Sequence, residues 1–422
     1  MCAPAPPWRS EVGARPQPEV GKILPVSDRS GKKVSIAVSV EHVRGWGRRI
    51  CEGIAVFANA RPDWGITIFE NGLPSAAELR RHDGFLWSVA DARVASALVA
   101  TGRPVVDLVN DGLYPGTVSV GGDHVACGRL AASHFLMHRF RSFAFFGWRG
   151  LRFSDARQAA FADALAESNF GLKVYLSVGE TMRGFLKRDV LNERFVLPPD
   201  AKAVARWAKR LPRRTGVFCA NDLRAWQLSE ICRASGIDVP DRLAILGADN
   251  DHVPCLFTSP ALSSVATATI EVGRRAAEVL AAIIDGERSV DDGPVVVPPS
   301  GVEARASTAI YPVDIPWLAD ALAYIREDVS KSLSAVDVVR RVGLSHATVE
   351  NAFRRVLGTT IQREIADARL DAAERLLAQT NLPVVEVSRR CGFSTPQYFS
   401  LCFSRRHGAA PGSFRAKPKN RS

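Results

Sequence analysis

The sequence predicts an α/β part with two parallel sheets, followed by a smaller all-α domain that carries two helix-turn-helix units. Three observations point there. Short, β-rich apolar runs alternate with helical patterns as far as about residue 300, and strands alternating with crossover helices imply parallel sheets covered on both faces. From Trp317 onward the periodicity is helical, broken only by Gly, Pro and Ser/Thr signals, and Pro298, Pro299, Pro312 and Pro316 mark the change. Within this second part, one segment occurs twice.

Taken in order, residues 1–31 are rich in proline and charge and lack the roughly 7–15 residue apolar stretch of a secretory signal. They read as a disordered extension, or as the product of a start codon assigned too far upstream. Strands are expected at 34–40, 65–69, 84–89, 104–109, 117–120, 142–147, 172–177, 216–220, 243–247 and 295–298. Helices are expected between them at 48–60, 124–138, 155–168, 201–209, 223–235 and 270–286. This is enough for two sheets, in a ligand-sensing domain over 32–305. A linker over 306–316, a helical domain over 317–416 and a basic tail over 417–422 complete the division.

Composition excludes several classes. A chain of 422 residues is too long for one ordinary core, because domains run to about 100–200 residues. With 46% hydrophobic and 23% charged residues it reads as globular. No run approaches the roughly 18 apolar residues of a membrane span, so no membrane partner is expected. The eight cysteines include no CxxC pair, and several lie in apolar runs. Scattered thiols of this kind fit a reducing cytoplasm rather than a disulfide framework or a metal site. Gly45, Gly47 and Gly53 after the first strand suggest a phosphate loop, but Ile50 stands where GxGxxG needs its third glycine. No nucleophile elbow is present either. The chain is therefore expected to be no enzyme, with no catalytic residues and no cofactor.

The net charge of +11 is unevenly placed: residues 315–422 hold 17 Lys+Arg against 10 Asp+Glu, and nothing after Val387 is acidic. A solvated tail and a phosphate-facing surface both account for such an excess, the second because neutralised phosphates release counterions.

The repeat narrows the choice. SAVDVVRRVGLSHATVENAFRRVLGTTI aligns with LPVVEVSRRCGFSTPQYFSLCFSRRHGAAP at an offset of 49, matching Gly343 to Gly392 and Ser345 to Ser394. In each copy the glycine permits a positive φ in a tight turn. The following serine is placed to cap the next helix. Val349 and Phe353, then Tyr398, Phe399 and Phe403, would anchor that helix to a core. A long helix over 360–379 joins the copies.

The block from Trp317 to Arg415 resembles the AraC/XylS DNA-binding domain, most closely in ARLDAAERLLAQTNLPVVEVSRRCGFSTPQYFSLCFSRRHGAAPGSFR. The resemblance implies that each second helix enters the major groove of double-stranded DNA. It presents His346, Ala347, Thr348, Glu350, Asn351 and Arg354 from the first helix, and Thr395, Pro396, Gln397, Tyr398 and Leu401 from the second. Asn351, Arg354 and Gln397 can make bidentate contacts with bases. Arg355, Arg405 and Arg406 are expected on phosphates, and Glu350 is read either as a contact or as a partner that positions a neighbouring arginine.

Three earlier fragments, VSVGGDHVACGRLAASHFL, RQAAFADAL and the pair CANDLRA and LAILGADND, resemble the periplasmic-binding-protein-like core of LacI-type regulators. PALSSVATATIEVGRRAAEVLAAIIDGE resembles its return segment. This resemblance implies a two-lobed, periplasmic-binding-protein-like sensor with a ligand between its lobes. Asp123, Arg157, Asn221, Asp222 and Asp249 would sit at strand ends and helix starts around that cleft. Trp46, Trp148 and Trp226 are candidates for an aromatic face, with core packing as the competing role for each. The effector implied is a small sugar, a pentose such as xylose, acting on a homodimer that activates transcription and contacts RNA polymerase. A sugar-modifying enzyme or an exported sugar receptor would use the same cleft, but the first lacks its motifs and the second its signal.

Overall fold

The computed structural model describes residues 33–41, 44–69, 72–109, 114–178, 197–310, 313, 315–327, 329 and 333–416. The expected N-terminal extension and the basic tail after Ala416 lie outside them.

Runs of Val, Ile and Phe bounded by Gly, Pro or Asp form strands because their branched and aromatic side chains pack well on a pleated surface. In the first lobe these are β1 (Val34–Ser39), β2 (Trp64–Ile68), β3 (Gly84–Trp87), β4 (Val105–Asp107) and β5 (Val118–Gly122), joined by the returning β11 (Val295–Val297). They form an all-parallel sheet in the order β2-β1-β3-β4-β5-β11. The second lobe holds β6 (Ser142–Trp148), β7 (Lys173–Ser177), β8 (Thr215–Cys219), β9 (Leu243–Ala248), β10 (Ser263–Ala266) and β12 (Gly301–Glu303). Its order, β7-β6-β8-β9-β10-β12, repeats that of the first sheet, with only β12 antiparallel. Both are doubly wound sheets, whose ligands collect at the carboxyl ends of the strands where the order reverses.

Around the sheets lie α1 (Gly45–Ala58), α2 (Ala76–Leu79), α3 (Ala92–Val99), α4 (His124–Met137), α5 (Arg152–Ala166), α6 (Ala201–Arg210), α7 (Asp222–Ala234), α8 (His252–Phe257) and α9 (Thr269–Ile284). Each sheet is covered on both faces: Ile36, Val38, Leu86 and Val120 face one core of the first lobe, and Ala37, Phe85, Trp87 and Val105 the other. The chain passes between lobes after β5, after β10 and after β11. The elements expected from the sequence do not include β10, β12, α2, α3 or α8.

Gly53 has a role unrelated to phosphate. Helices α1 and α9 cross so closely that a Cβ on Gly53 would overlap the Ile270 carbonyl, and one on Gly273 would overlap that of Ile50. Gly53→Val is expected to destabilise the first lobe by about 1–3 kcal/mol, the usual range for overpacking. Its denaturant midpoint should fall accordingly, and an unchanged midpoint would show that the two helices separate freely.

The helical domain comprises α10 (Pro316–Glu327), α11 (Ala335–Val342), α12 (His346–Ala352), α13 (Ile361–Gln379), α14 (Val384–Arg390), α15 (Pro396–His407) and α16 (Pro411–Ala416). Its core divides in two. Leu318, Val338, Val349 and Phe353 pack with Ile361 and Ile365 from the first half of α13. Val387, Phe399 and Phe403 pack with Leu370, Ala373 and Leu377 from its second half.

Candidate functional site

Two regions carry polar chemistry. The first is the cleft between the lobes, at the strand ends. Arg157, 3% exposed on α5, donates to the Ala220 carbonyl at 2.6 Å and to Asp249 Oδ1 at 2.8 Å. Burial lowers the tendency of this guanidinium to stay charged, but the Asp249 carboxylate together with Cys127 and Asp222 outweighs it and the net shift is upward. Asp249 has a positive φ of 99° at the end of β9, a backbone strain of the kind that concentrates at binding sites. Its Oδ1 also accepts from Thr267 Oγ1 at 3.4 Å, on the second crossing between lobes. Asp123 lies on the first crossing and caps α4, accepting from the Ala126 amide at 2.7 Å. Asn221 caps α7 in the same way, accepting from the Arg224 amide at 3.0 Å. Of the expected residues, Arg157 thus meets Asp249 directly and the residue before Asn221, while Asp123 and Asn221 cap the helices that follow β5 and β8.

Asp222 behaves differently. It is 2% exposed and accepts from the Asp251 amide at 2.7 Å and the Ser264 hydroxyl at 2.6 Å. Burial, reinforced by the Asp249 charge, holds its carboxyl well above the usual range. One of its oxygens thus holds the β9–α8 turn and the other holds β10. Trp148 and Trp226 pack into the cores of the second lobe, and Trp46 rests against that of the first.

The sequence reading did not single out four cleft residues. Phe153 sits one turn before Arg157 on α5, with the guanidinium 5.5 Å from its ring centroid, a spacing that could have flagged it. His124 follows Asp123 and lies 6.3 Å from Phe153. Burial, then the Arg157 charge, lower its pKa to about 3, so it presents a neutral imidazole. Asp251 and His252 connect the lobes. Asp251 Oδ2 accepts from the Gly45 amide at 2.9 Å, its Oδ1 caps α8 at Val253, and Arg49 meets His252 Nε2 at 2.8 Å. No local pattern announces these pairs, because the partners stand more than 200 residues apart.

The second region is the outer face of the helical domain. Gly343 and Gly392 adopt positive φ values of 74° and 70°, as a tight turn between two helices requires. Ser345 caps α12 through the Thr348 amide at 3.2 Å. In the second copy the cap is Thr395, accepting from the Tyr398 amide at 3.1 Å, and not Ser394 as the alignment suggested. Pro396 at the first helical position accounts for the shift: it lacks an N–H and holds the residue before it extended.

Val349, Phe353, Phe399 and Phe403 are buried, whereas Tyr398, expected as an anchor as well as a contact, is 51% exposed. His346, Ala347, Thr348, Asn351, Arg354 and Arg355 lie exposed on or just after α12, with Thr395, Gln397, Tyr398, Leu401 and Arg405 on or at α15. Glu350 pairs with Arg354 at 3.0 Å and accepts from the Ile361 amide at 3.3 Å, so it fixes a neighbouring arginine and the start of α13. Arg406 turns inward, bonded to Asp371 and to the Asp367 carbonyl. Among the described residues no group of three or more His, Cys, Asp or Glu could hold a metal, and no helix is long and apolar enough to cross a membrane.

Comparison with known proteins bears on the two domains that carry these regions. Residues 132–308 match a periplasmic binding protein-like domain family, and residues 338–417 match a helix-turn-helix domain family of AraC type. The chain is 27% identical to the xylose operon regulatory protein of Escherichia coli K12 over 382 residues, spanning 88% of this chain and 94% of that one. It is similar to a solved structure described as xylose-binding transcription activator xylR, with a TM-score of 0.56 and 26% identity, covering 91% of this chain and 98% of that one. A ribose-bound LacI family regulator from Enterococcus faecium shares the α/β fold, at a TM-score of 0.53 and 20% identity over 66% of this chain and all of that one.

Proposed function

We propose that this chain, a periplasmic-binding-protein-like sensor joined to an AraC-type reader, is a cytoplasmic, sugar-gated transcription activator without enzymatic activity. The sensor spans 32–305, a linker 306–316 and the reader 317–416, and the active form is a homodimer that contacts RNA polymerase. The observation carrying the reading is the coexistence in one chain of the Arg157–Asp249 pair in an interlobe cleft and two capped helix-turn-helix units. A neutral polyhydroxy ligand needs directional donors and acceptors, which Asp123, Arg157, Asn221 and Asp249 supply at the cleft. Phe153 and His124 supply an apolar wall for its C–H face. The similarity to xylose regulators supports a pentose, with xylose foremost.

On the reader, Asn351, Arg354 and Gln397 are the base contacts we assign, with His346, Thr348, Thr395 and Tyr398 flanking them and Arg355 and Arg405 on phosphates. Titration of the DNA upstream of its own coding sequence, at fixed salt and with or without D-xylose, tests the whole reading. A change in specific affinity of tenfold or more, about 1.4 kcal/mol of coupling, is the expected result. Specific binding indifferent to xylose and to other pentoses would remove the sugar gate, and sequence-blind binding would remove the reader. Gln397→Ala should weaken specific binding by about 1–3 kcal/mol and relax the preference at one base pair only.

A further inference from the structure

We propose that helix α4 transmits closure of the sugar cleft to the DNA-reading helices through the polar chain Arg139–Glu364–Arg326–Asp371–Arg406. This rests on the sugar-gated reading above and adds its route.

One end of α4 belongs to the ligand site. Its cap, Asp123, is the residue at which the chain leaves the first sheet. The helix also packs on α5 so closely that a Cβ on Gly128 would overlap the Arg157 carbonyl oxygen. Whatever displaces Arg157 or Asp123 therefore displaces α4 as a body.

The other end, 14 residues and about 21 Å away at 1.5 Å per residue, reaches the helical domain by two routes. His134 Nε2 lies 3.0 Å from Thr308 Oγ1, where the chain leaves the second lobe for the reader. Just past the helix, Arg139 donates to Glu364 on α13. Glu364 is fully buried, and its second oxygen takes Arg326 of α10 at 2.9 Å. Arg326 stands 3.5 Å from Asp371, two turns along α13, and Asp371 holds Arg406 in the last turn of α15. The links run from the end of α4 to α13, across to α10, back to α13 two turns on, and from there to the second reading helix.

The surroundings favour a joint that can be remade. A cavity of about 490 Å³ separates the two bodies, lined by Arg129, Ser133 and Glu167 on one side and by Arg363 and Asp367 on the other. Where an apolar core would weld the domains together, this polar gap lets one body shift against the other. A buried carboxylate that must keep its charged donors converts such a shift into a change of partner rather than a gradual bend.

The test is the same titration of upstream DNA, with and without D-xylose, on the full-length protein carrying Arg139→Gln, Arg139→Lys or Glu364→Gln. Calorimetric titration of xylose into each variant checks that the cleft is intact. Arg139→Gln should keep its affinities for xylose and for sugar-free DNA within about threefold of the parent. The factor by which xylose changes DNA affinity should fall from tenfold or more to below threefold, with Arg139→Lys retaining most of it. Glu364→Gln, which enters the chain from the reader side, should show the same loss. Full coupling in both Arg139→Gln and Glu364→Gln would overturn the relay alone. A parent protein whose DNA binding ignores xylose would overturn the sugar-gated reading, and the relay with it.

Discussion

Replacing Arg157 by methionine is expected to weaken xylose binding at least a hundredfold and to lower the stability of the sensor by about 3 kcal/mol, the lower end of the range for breaking a buried ion pair. Both effects come from the same geometry. The side chain is 3% exposed and satisfies the Ala220 carbonyl while pairing with Asp249. Methionine fills much of the volume but removes both donated hydrogen bonds, leaving Asp249 Oδ1 to the longer bond from Thr267, next to the already strained Asp249 backbone. It also removes the charge that, after burial, helps to lower the pKa of His124. Calorimetric titration with xylose, together with thermal unfolding in its absence, separates the two effects. Xylose affinity within threefold of the parent would take Arg157 out of the binding site and leave it a structural role only.

Phe353→Ala should abolish specific DNA binding while leaving xylose binding unchanged. Phe353 is fully buried between Val349, Leu318, Ile361 and Ile365, at the point where the first reading helix turns back toward α13. Truncating such a phenylalanine costs about 3–5 kcal/mol. That is a large share of what a domain of some hundred residues possesses, since stability runs to about 0.05–0.15 kcal/mol per residue. The sensor cores contain no residue of this cluster, so its sugar titration serves as an internal control. Parallel loss of both activities would mean that the two domains do not fold as separate units.

The parts of this molecule that were legible in its sequence are those that a short window determines. Period-2 apolar runs and intervening helices marked most of both sheets, and a glycine and a cap at matching positions marked both helix-turn-helix units. β10 and β12 escaped because neither is an apolar run: two serines open the first, and a glycine and a glutamate flank the single valine of the second. β12 lies at an edge, where half the backbone pairing that defines a strand is missing. The Thr395 cap escaped because an alignment of copies transfers position and overlooks the local effect of Pro396. Arg406 looked like its neighbour Arg405 in the sequence, yet one helical step of about 100° is enough to turn it from the outer face to Asp371. Asp251 and Glu364 could not be foreseen: their partners come from elements more than 200 residues away, and only the folded topology brings them together.

Helix α13 contributes its first half to one core and its second half to the other. Over 19 residues it measures about 28 Å, somewhat less than one turn of B-form DNA. A single rigid rod therefore sets both the separation and the relative rotation of the two reading helices. For the DNA this makes substitutions and insertions unequal events. A changed base costs one contact, whereas an added base pair between the two read segments rotates one of them by about 35° around the duplex axis. The rod that joins the two half-cores does not bend to follow that rotation, so binding sites of such a protein can drift in sequence over time while the distance between their halves stays constant.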